Sequence, residues 1–191
     1  MRRYIGLGIL LLTAATSGCG YNRIQELDEQ AAAAKQQIEV QLQRRADLVG
    51  NLVETVKGQA RQELEVFTQV TQARAGVQNA VQQGDPQAMA NADAQLTGAL
   101  GRLLVTVEAY PQLRSDQAFL RLQDELAGTE NRVAVARTDY NNAVRQYNTY
   151  IRRFPTVLTA KVVGAKPREY FEVTDPSARE APKVDFGTDK K

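Results

Sequence analysis

The side chains that could do chemistry in this 191-residue chain are carboxylates, arginines, tyrosines and one cysteine, because the sequence contains no histidine. A Ser-His-Asp triad, a Cys-His pair and a His-ligated metal site are therefore excluded, and a lone cysteine forms no disulfide within the chain. Carboxylates could act as acid and base, but the adjacent Asp124 and Glu125 point in different directions on a helix. We predict no enzymatic activity, no metal and no cofactor.

Arginines form the first polar motif, in which Arg44 and Arg45 are followed by Asp47. We expect one of the two arginines to pair with a carboxylate on another helix and the other to be solvated. The alternative is that their guanidinium groups bind an acidic head group or a peptide carboxylate. Arg74 and Arg137 are likewise more typical of ion pairs between helices than of ligand contacts. The possible acceptors are three later carboxylates: Glu63, Glu130 and Asp139.

Tyrosine–asparagine pairs form the second motif. Tyr140-Asn141 and Tyr147-Asn148 are seven residues apart, which places both tyrosines on one helix face. We expect a polar core in which phenol and amide groups bond to neighbouring helices and fix their register. The alternative is an exposed stripe on which a protein partner docks.

The N-terminus has the pattern of a secretory address. Arg2 and Arg3 precede an apolar stretch from Tyr4 to Ala15, which is shorter than the roughly 20 residues that span a bilayer. Small residues then lead to Cys19, as in a bacterial lipoprotein signal, so we predict a signal peptide over 1–18 and a lipid on Cys19. An uncleaved anchor or a plain signal peptide are the alternatives. Cleavage would leave equal numbers of acidic and basic residues, so we expect attachment by acyl chains rather than by charge.

Long helices must position these residues, because glycine and proline are sparse and apolar residues recur every three to four positions. The first helical pattern runs over 21–83, with a kink or break expected near Gly50. Gly84-Asp85-Pro86 then combines a helix stop, an N-cap and a first-turn proline. A second helix follows over 86–109, and a third begins at Ser115 as N-cap, with Asp116 in its first turn, and runs to Phe154.

The third helix carries a heptad pattern typical of a coiled-coil-like seam. We therefore predict an all-α fold, an elongated antiparallel bundle of three to four long helices, over 19–165. The segment 166–191 is rich in proline and charge, and we expect it to be partly disordered. The apolar and aromatic residues of the seam are Phe119, Leu126, Val133, Tyr140, Tyr147 and Phe154.

Taken together, these motifs resemble the LemA family over roughly residues 21–172. The resemblance implies a helical bundle outside the cytoplasm, and it does not point to any particular activity. The chain departs from the family where a short apolar segment and Cys19 replace the usual transmembrane helix. The motifs that carry the resemblance include Tyr21-Asn22, the segment 41–53, Val56-Lys57-Gly58, Glu63, Ala73-Arg74, Tyr110-Pro111, Phe119-Leu120-Arg121-Leu122-Gln123, Glu130, Arg137, the two Tyr-Asn pairs and Phe154-Pro155.

We therefore hypothesise a lipid-anchored interaction or scaffold module of the bacterial envelope, at the inner or outer membrane and facing the periplasm. Its partners would be the membrane and other envelope proteins. A net charge of +2 argues against nucleic acid. The alternative is a bundle that binds or senses a small apolar or anionic ligand. The candidate interaction or polar-core residues are Arg44, Arg45, Asp47, Asn51, Glu63, Arg74, Glu130, Arg137, Tyr140, Asn141, Tyr147 and Asn148.

Overall fold

The computed structural model describes residues 2–58 and 64–173, with side chains described from Gly20 onward except that of Arg114. The side chain of Cys19, the candidate Glu63 and the tail beyond residue 173 lie outside the described residues. Within the described part, every regular element is a helix, which confirms the all-α prediction. The helices are α1 (Arg2–Lys57), α2 (Leu64–Gln83), α3 (Pro86–Val107), α4 (Pro111–Arg114), α5 (Gln117–Arg152) and α6 (Thr156–Val162).

The boundary between α2 and α3 follows from three consecutive residues. Gly84 has a φ of 67°, a left-handed conformation that favours glycine, and its N–H donates to the carbonyl of Ala80. The Asp85 side chain accepts a hydrogen bond from the backbone N–H of Gln87 at 3.0 Å, and Pro86 occupies the first turn of α3. The predicted stop, cap and restart are all confirmed.

The start of α5 lies one residue later than predicted. The Asp116 carboxylate, not the Ser115 hydroxyl, accepts from the first free amides, those of Ala118 at 2.7 Å and Phe119 at 3.2 Å. Ser115 instead donates its hydroxyl hydrogen to the carbonyl of Pro111, in the preceding helix. An ionised carboxylate is the stronger acceptor at a helix N-terminus, so it takes the capping position.

Helix α1 continues through Gly50 to Lys57, so of the predicted kink or break the break is not found, and the kink stays a prediction. A glycine at position 50 allows the side chain of Arg74 to approach the helix backbone closely. A Cβ atom on Gly50 would lie 2.9 Å from Cζ of Arg74, because the Arg74 guanidinium occupies the space beside it. The structure therefore explains the glycine by what packs on it rather than by an interruption of the helix.

The chain divides into two compact units, which are described separately. Unit 1 comprises the residues up to 41 together with 131–170, and its core includes five buried residues from α1, α5 and α6. Tyr150 and Ala165 pack against that core at its edge. The buried residues are Ile24, Leu27, Tyr147, Ile151 and Ala160.

Of the described residues, unit 2 comprises 42–58, 64–130 and 171–173. Helices α2 and α3 pack against each other within it. The apolar positions of its helices recur at helical spacing and are almost fully buried, which defines one core face on each helix. These residues include Leu42, Val49, Val56, Phe67, Val70, Val77, Met89, Leu96 and Leu103.

The heptad pattern of α5 holds for five of its six predicted positions. The five heptad positions Phe119, Leu126, Val133, Tyr140 and Tyr147 are buried, whereas Phe154 is 82% exposed. The reason is that α5 ends at Arg152, so helical spacing no longer sets the direction of the Phe154 side chain. Within the part of the chain that the structure describes, no helix is both long enough and apolar enough to cross a membrane.

Candidate functional site

The first polar site, the Arg45 cluster of Arg45, Asp93 and Glu130, lies in unit 2. Arg45 is only 2% exposed. One of its terminal nitrogens forms an ion pair with Asp93, and the other lies 3.5 Å from Oε2 of Glu130. Its Nε has no hydrogen-bond partner among the described residues. A buried guanidinium is tolerated only with compensating anions, so the two carboxylates hold this charge inside the unit.

Helical spacing brings the strongest pair of this cluster together. Arg45 lies three residues after Leu42 and four before Val49, two fully buried residues of α1. Asp93 stands in the same way on α3, four residues after Met89 and three before Leu96. Each charged residue thus lies within an otherwise apolar helix face. Where the apolar faces of α1 and α3 pack together, the two charges are buried next to each other. Asp93 was not among the predicted residues, although a single acid within an apolar stripe of the helix was the signal that could have identified it.

Arg74 makes a different kind of contact within unit 2. Its Nε donates a hydrogen bond of 2.8 Å to the backbone carbonyl of Ala46 on α1. Its guanidinium occupies the space beside Gly50. Arg74 therefore joins α2 to α1 through the main chain and not through the predicted kind of ion pair.

The second polar site, the Asn148 cluster of Tyr140, Asn148 and Arg168, lies in unit 1. The Asn148 amide binds the main chain of Arg168 in both directions: Nδ2 donates to its carbonyl at 2.8 Å, and Oδ1 accepts from its N–H at 2.8 Å. The Tyr140 hydroxyl donates to the carbonyl of Glu169 at 2.7 Å. The two motif side chains thus hold the irregular segment after α6 against α5.

An ion pair with a carboxylate of α1 also holds Arg168 in this cluster. Nε of Arg168 lies 2.7 Å from Oδ1 of Asp28, and its guanidinium lies 6.0 Å from the centre of the Tyr147 ring. Burial raises the pKa of the Tyr147 phenol above its ordinary 10.0, the charge of Asp28 raises it further, and the charge of Arg168 lowers it. The hydrogen bond to Asp28 is the main cause of a raised pKa for Arg168. Sequence analysis missed both Asp28 and Arg168.

The other predicted residues lie at the surface or between surface and core. Arg44, Asp47, Asn51 and Arg137 are exposed, and Asn141 is half-buried. Asp47 accepts a hydrogen bond of 3.1 Å from the Gln43 side chain one turn earlier on α1. The structure does not gather these five side chains into one site with Arg45 or Asn148. Among the described residues, no group of three or more cysteines and carboxylates is close enough to hold a metal ion.

A groove of about 580 Å³ lies within unit 1, between α1 and α5. Its walls combine small apolar side chains, such as Ala33 and Val135, with polar ones, such as Arg132 and Gln41. Oε1 of Gln41 is buried and has no hydrogen-bond partner among the described residues. Apolar walls with a few polar groups are the general composition of small-ligand sites.

These observations define an all-α protein in which the central polar motif residues hold helices and main chain in place. The chain belongs to the LemA family, whose sequence model matches residues 34–186. The resemblance found in the sequence is thereby confirmed.

Curated relatives are also found among magnetosome proteins. The chain is 31% identical over 175 residues to magnetosome proteins MamQ 1 and MamQ 2 of Paramagnetospirillum magneticum, covering 80% of this chain and 64% of each relative. It is 30% identical over 174 residues to magnetosome protein MamQ of Magnetospirillum gryphiswaldense, covering 79% of this chain and 64% of that protein. The chain thus spans less than two thirds of the length of these relatives.

Proposed function

We propose that this LemA-family protein is a membrane-attached interaction module of the bacterial envelope, held outside the cytoplasm by a lipid on Cys19, and that it performs no catalysis. One observation carries the proposal. The buried polar residues that looked most like a site, Arg45, Tyr140 and Asn148, are bonded to groups of the protein itself. They stabilise a framework, which leaves the outer surface as the place of function.

The contacts of Arg45 also argue against ligand binding at that position. A guanidinium that recognises an external carboxylate must offer its terminal nitrogens to that ligand. In unit 2 both terminal nitrogens already face Asp93 and Glu130, and the side chain is 2% exposed. An incoming anion would have to displace two carboxylates and enter a packed core.

The relatives are named as magnetosome proteins, which supports association with a membrane. A protein that organises other proteins at a membrane gains from being held there, because attachment raises its effective concentration toward its partners. The apolar stretch before Cys19 and the cysteine itself provide the means of attachment, with each buried methylene of an acyl chain adding about 0.8 kcal/mol.

Crosslinking in intact cells tests this proposal. Proteins recovered with the wild-type chain would be identified by mass spectrometry beside those recovered with Cys19→Ser, which lacks the thiol that would carry the lipid. We expect a specific set of envelope proteins with the wild type and their loss with the variant. The same nonspecific background from both versions would refute the scaffold role.

A second function, small-ligand binding, is favoured by the groove between α1 and α5 with its unpartnered Gln41 oxygen. Native mass spectrometry of the purified protein would show a bound small molecule as added mass. Ala33→Phe would fill the groove from an exposed position and should abolish that mass. An unmodified mass for the wild type would leave the groove without a ligand and remove the support for this function.

A further inference from the structure

Helix α6 and the residue pair before it expose an apolar face on unit 1. Phe154 is 82% exposed, Leu158 57% and Val162 87%. Leu158 and Val162 are one helical turn apart and so lie on the same side of α6. Isolated exposed apolar residues are ordinary, but here three large ones lie within nine positions of the chain. We call these three residues the α6 patch.

The opposite side of α6 is already used by the fold. Ala160 is buried in the core of unit 1, beside Ile24 and Leu27 of α1. The α6 patch is therefore not a core face that has failed to pack. It is a second apolar side of α6, which faces solvent because the opposite side packs into the core of unit 1.

The position of α6 places this patch next to the predicted point of attachment. A Cβ atom on Gly20 would lie 3.5 Å from Cγ2 of Thr156 and 3.8 Å from Oγ1 of Thr159. Gly20 directly follows Cys19 in the chain, and consecutive Cα atoms are about 3.8 Å apart. A lipid on Cys19 would thus bring α6 to the membrane surface.

The charge around α6 fits an anionic surface. The whole chain is nearly neutral, but residues 140–168 contain basic side chains and no acidic one. One of the basic residues, Arg168, is paired with Asp28, whereas the other five are exposed. Exposed basic residues close in the chain to exposed apolar residues are the general pattern of a segment that lies in a lipid interface. The exposed basic residues of this segment are Arg145, Arg152, Arg153, Lys161 and Lys166.

We infer that the α6 patch inserts into the interface of an anionic membrane, with the neighbouring lysines and arginines on the lipid phosphates. This inference rests on the proposed membrane attachment and adds a second contact that holds unit 1 against the bilayer. It also revises the expectation from net charge, because an average over the chain conceals a locally basic segment.

Tryptophan fluorescence can test the contact directly, since the chain contains no tryptophan of its own. The full lipid-modified chain would be reconstituted as Phe154→Trp, and separately as Val162→Trp, in phosphatidylcholine–phosphatidylglycerol vesicles with brominated acyl chains. Val135→Trp is the matched control, because Val135 is also an exposed valine of unit 1. We expect about a twofold loss of emission and a blue shift for both patch variants and neither effect for the control.

The remaining outcomes are distinguishable. If the protein floats with the vesicles but neither patch tryptophan is quenched, the α6 contact is refuted and the attachment stands. If the protein does not float, both are refuted. A blue shift that depends on protein concentration and occurs without vesicles would show that a second copy of the chain covers the patch, which would also overturn the inference.

Discussion

The Arg45 cluster of unit 2 and the Asn148 cluster of unit 1 solve the same problem in different ways. Both place a polar side chain in a helix face that is otherwise apolar. Arg45 is neutralised by two carboxylates, whereas Asn148 bonds to the main chain of Arg168 with one donor and one acceptor. The Arg45 cluster joins charges on separate helices, whereas the Asn148 cluster attaches an irregular segment to a helix.

This difference predicts different consequences when one member is removed. Loss of one charge leaves the opposite charge partly buried and unpaired. The resulting loss of folding free energy is larger than the stabilisation that the intact ion pair provides. Loss of the amide leaves two neutral main-chain groups, and water can reach them when the segment lifts away. The Arg45 cluster should therefore control the stability of its unit, and the Asn148 cluster should control local order.

The largest effect is expected from Arg45→Met, which keeps an unbranched apolar chain in the core and removes the guanidinium and its charge. It should lower the free energy of unfolding by about 3–5 kcal/mol, because Asp93 loses its buried partner. Urea unfolding followed by circular dichroism would measure this. Arg44→Met is the matched control, since Arg44 is exposed and its change should be below about 0.5 kcal/mol. Equal losses of unfolding free energy in the two variants would contradict a stabilising role of the Arg45 ion pair.

Asn148→Ala should have the next largest effect, about 2–3 kcal/mol, because two hydrogen bonds to the Arg168 main chain are lost. Hydrogen exchange gives the sharper measurement: the amide of Arg168 should lose its protection while amides in unit 2 keep theirs. Asn131→Ala serves as the control, since Asn131 is an exposed residue of the same helix. Unchanged protection of Arg168 in Asn148→Ala would break the proposed distinction.

A pH dependence should appear beside the Asn148 cluster. Burial, with the charge of Asp28 adding to it, raises the pKa of Tyr147, so the folded protein holds this proton more tightly than the unfolded chain. Stability should therefore fall as the pH rises above 10.0 through the folded pKa. The slope for wild type should exceed that for Tyr147→Phe by up to about 1.4 kcal/mol per pH unit. Equal slopes in alkaline urea titrations would show that Tyr147 does not contribute.

The smallest effect concerns Gly50 and Arg74, in the same unit as Arg45. Gly50→Ala gains helix propensity but pushes the guanidinium away, so the change in the wild-type background should be close to zero. In an Arg74→Ala background the same substitution should stabilise by about 0.5–1 kcal/mol. A double-mutant cycle of urea unfolding would measure the coupling. Additive effects would mean that the close approach has no energetic consequence.

Local chemistry was the predictable part of this molecule. Gly84-Asp85-Pro86 places a stop, a cap and a restart on adjacent residues, so no distant contact is needed to predict them. Heptad spacing likewise predicted burial as far as Tyr147 and was wrong at Phe154, where the helix had ended.

Partner choice was less predictable, because it depends on which helix faces come together. The sequence named Glu130 as a possible partner of Arg45 and missed Asp93, the closer one. Arg168 was missed for another reason. It lies in an irregular segment that returns to α5 after a change of direction, and periodicity carries no information about such a return.

We propose that a lipid on Cys19 holds this framework at a membrane. The most direct measurement is mass spectrometry of the N-terminal peptide from cells fed a clickable fatty acid, with membrane fractionation of the wild type and Cys19→Ser in parallel. We expect a diacylglyceryl group on Cys19 of the wild type, and in the variant the loss of the fatty-acid label and of the protein from the membrane fraction. An unmodified Cys19 in a protein recovered from the soluble fraction would contradict it.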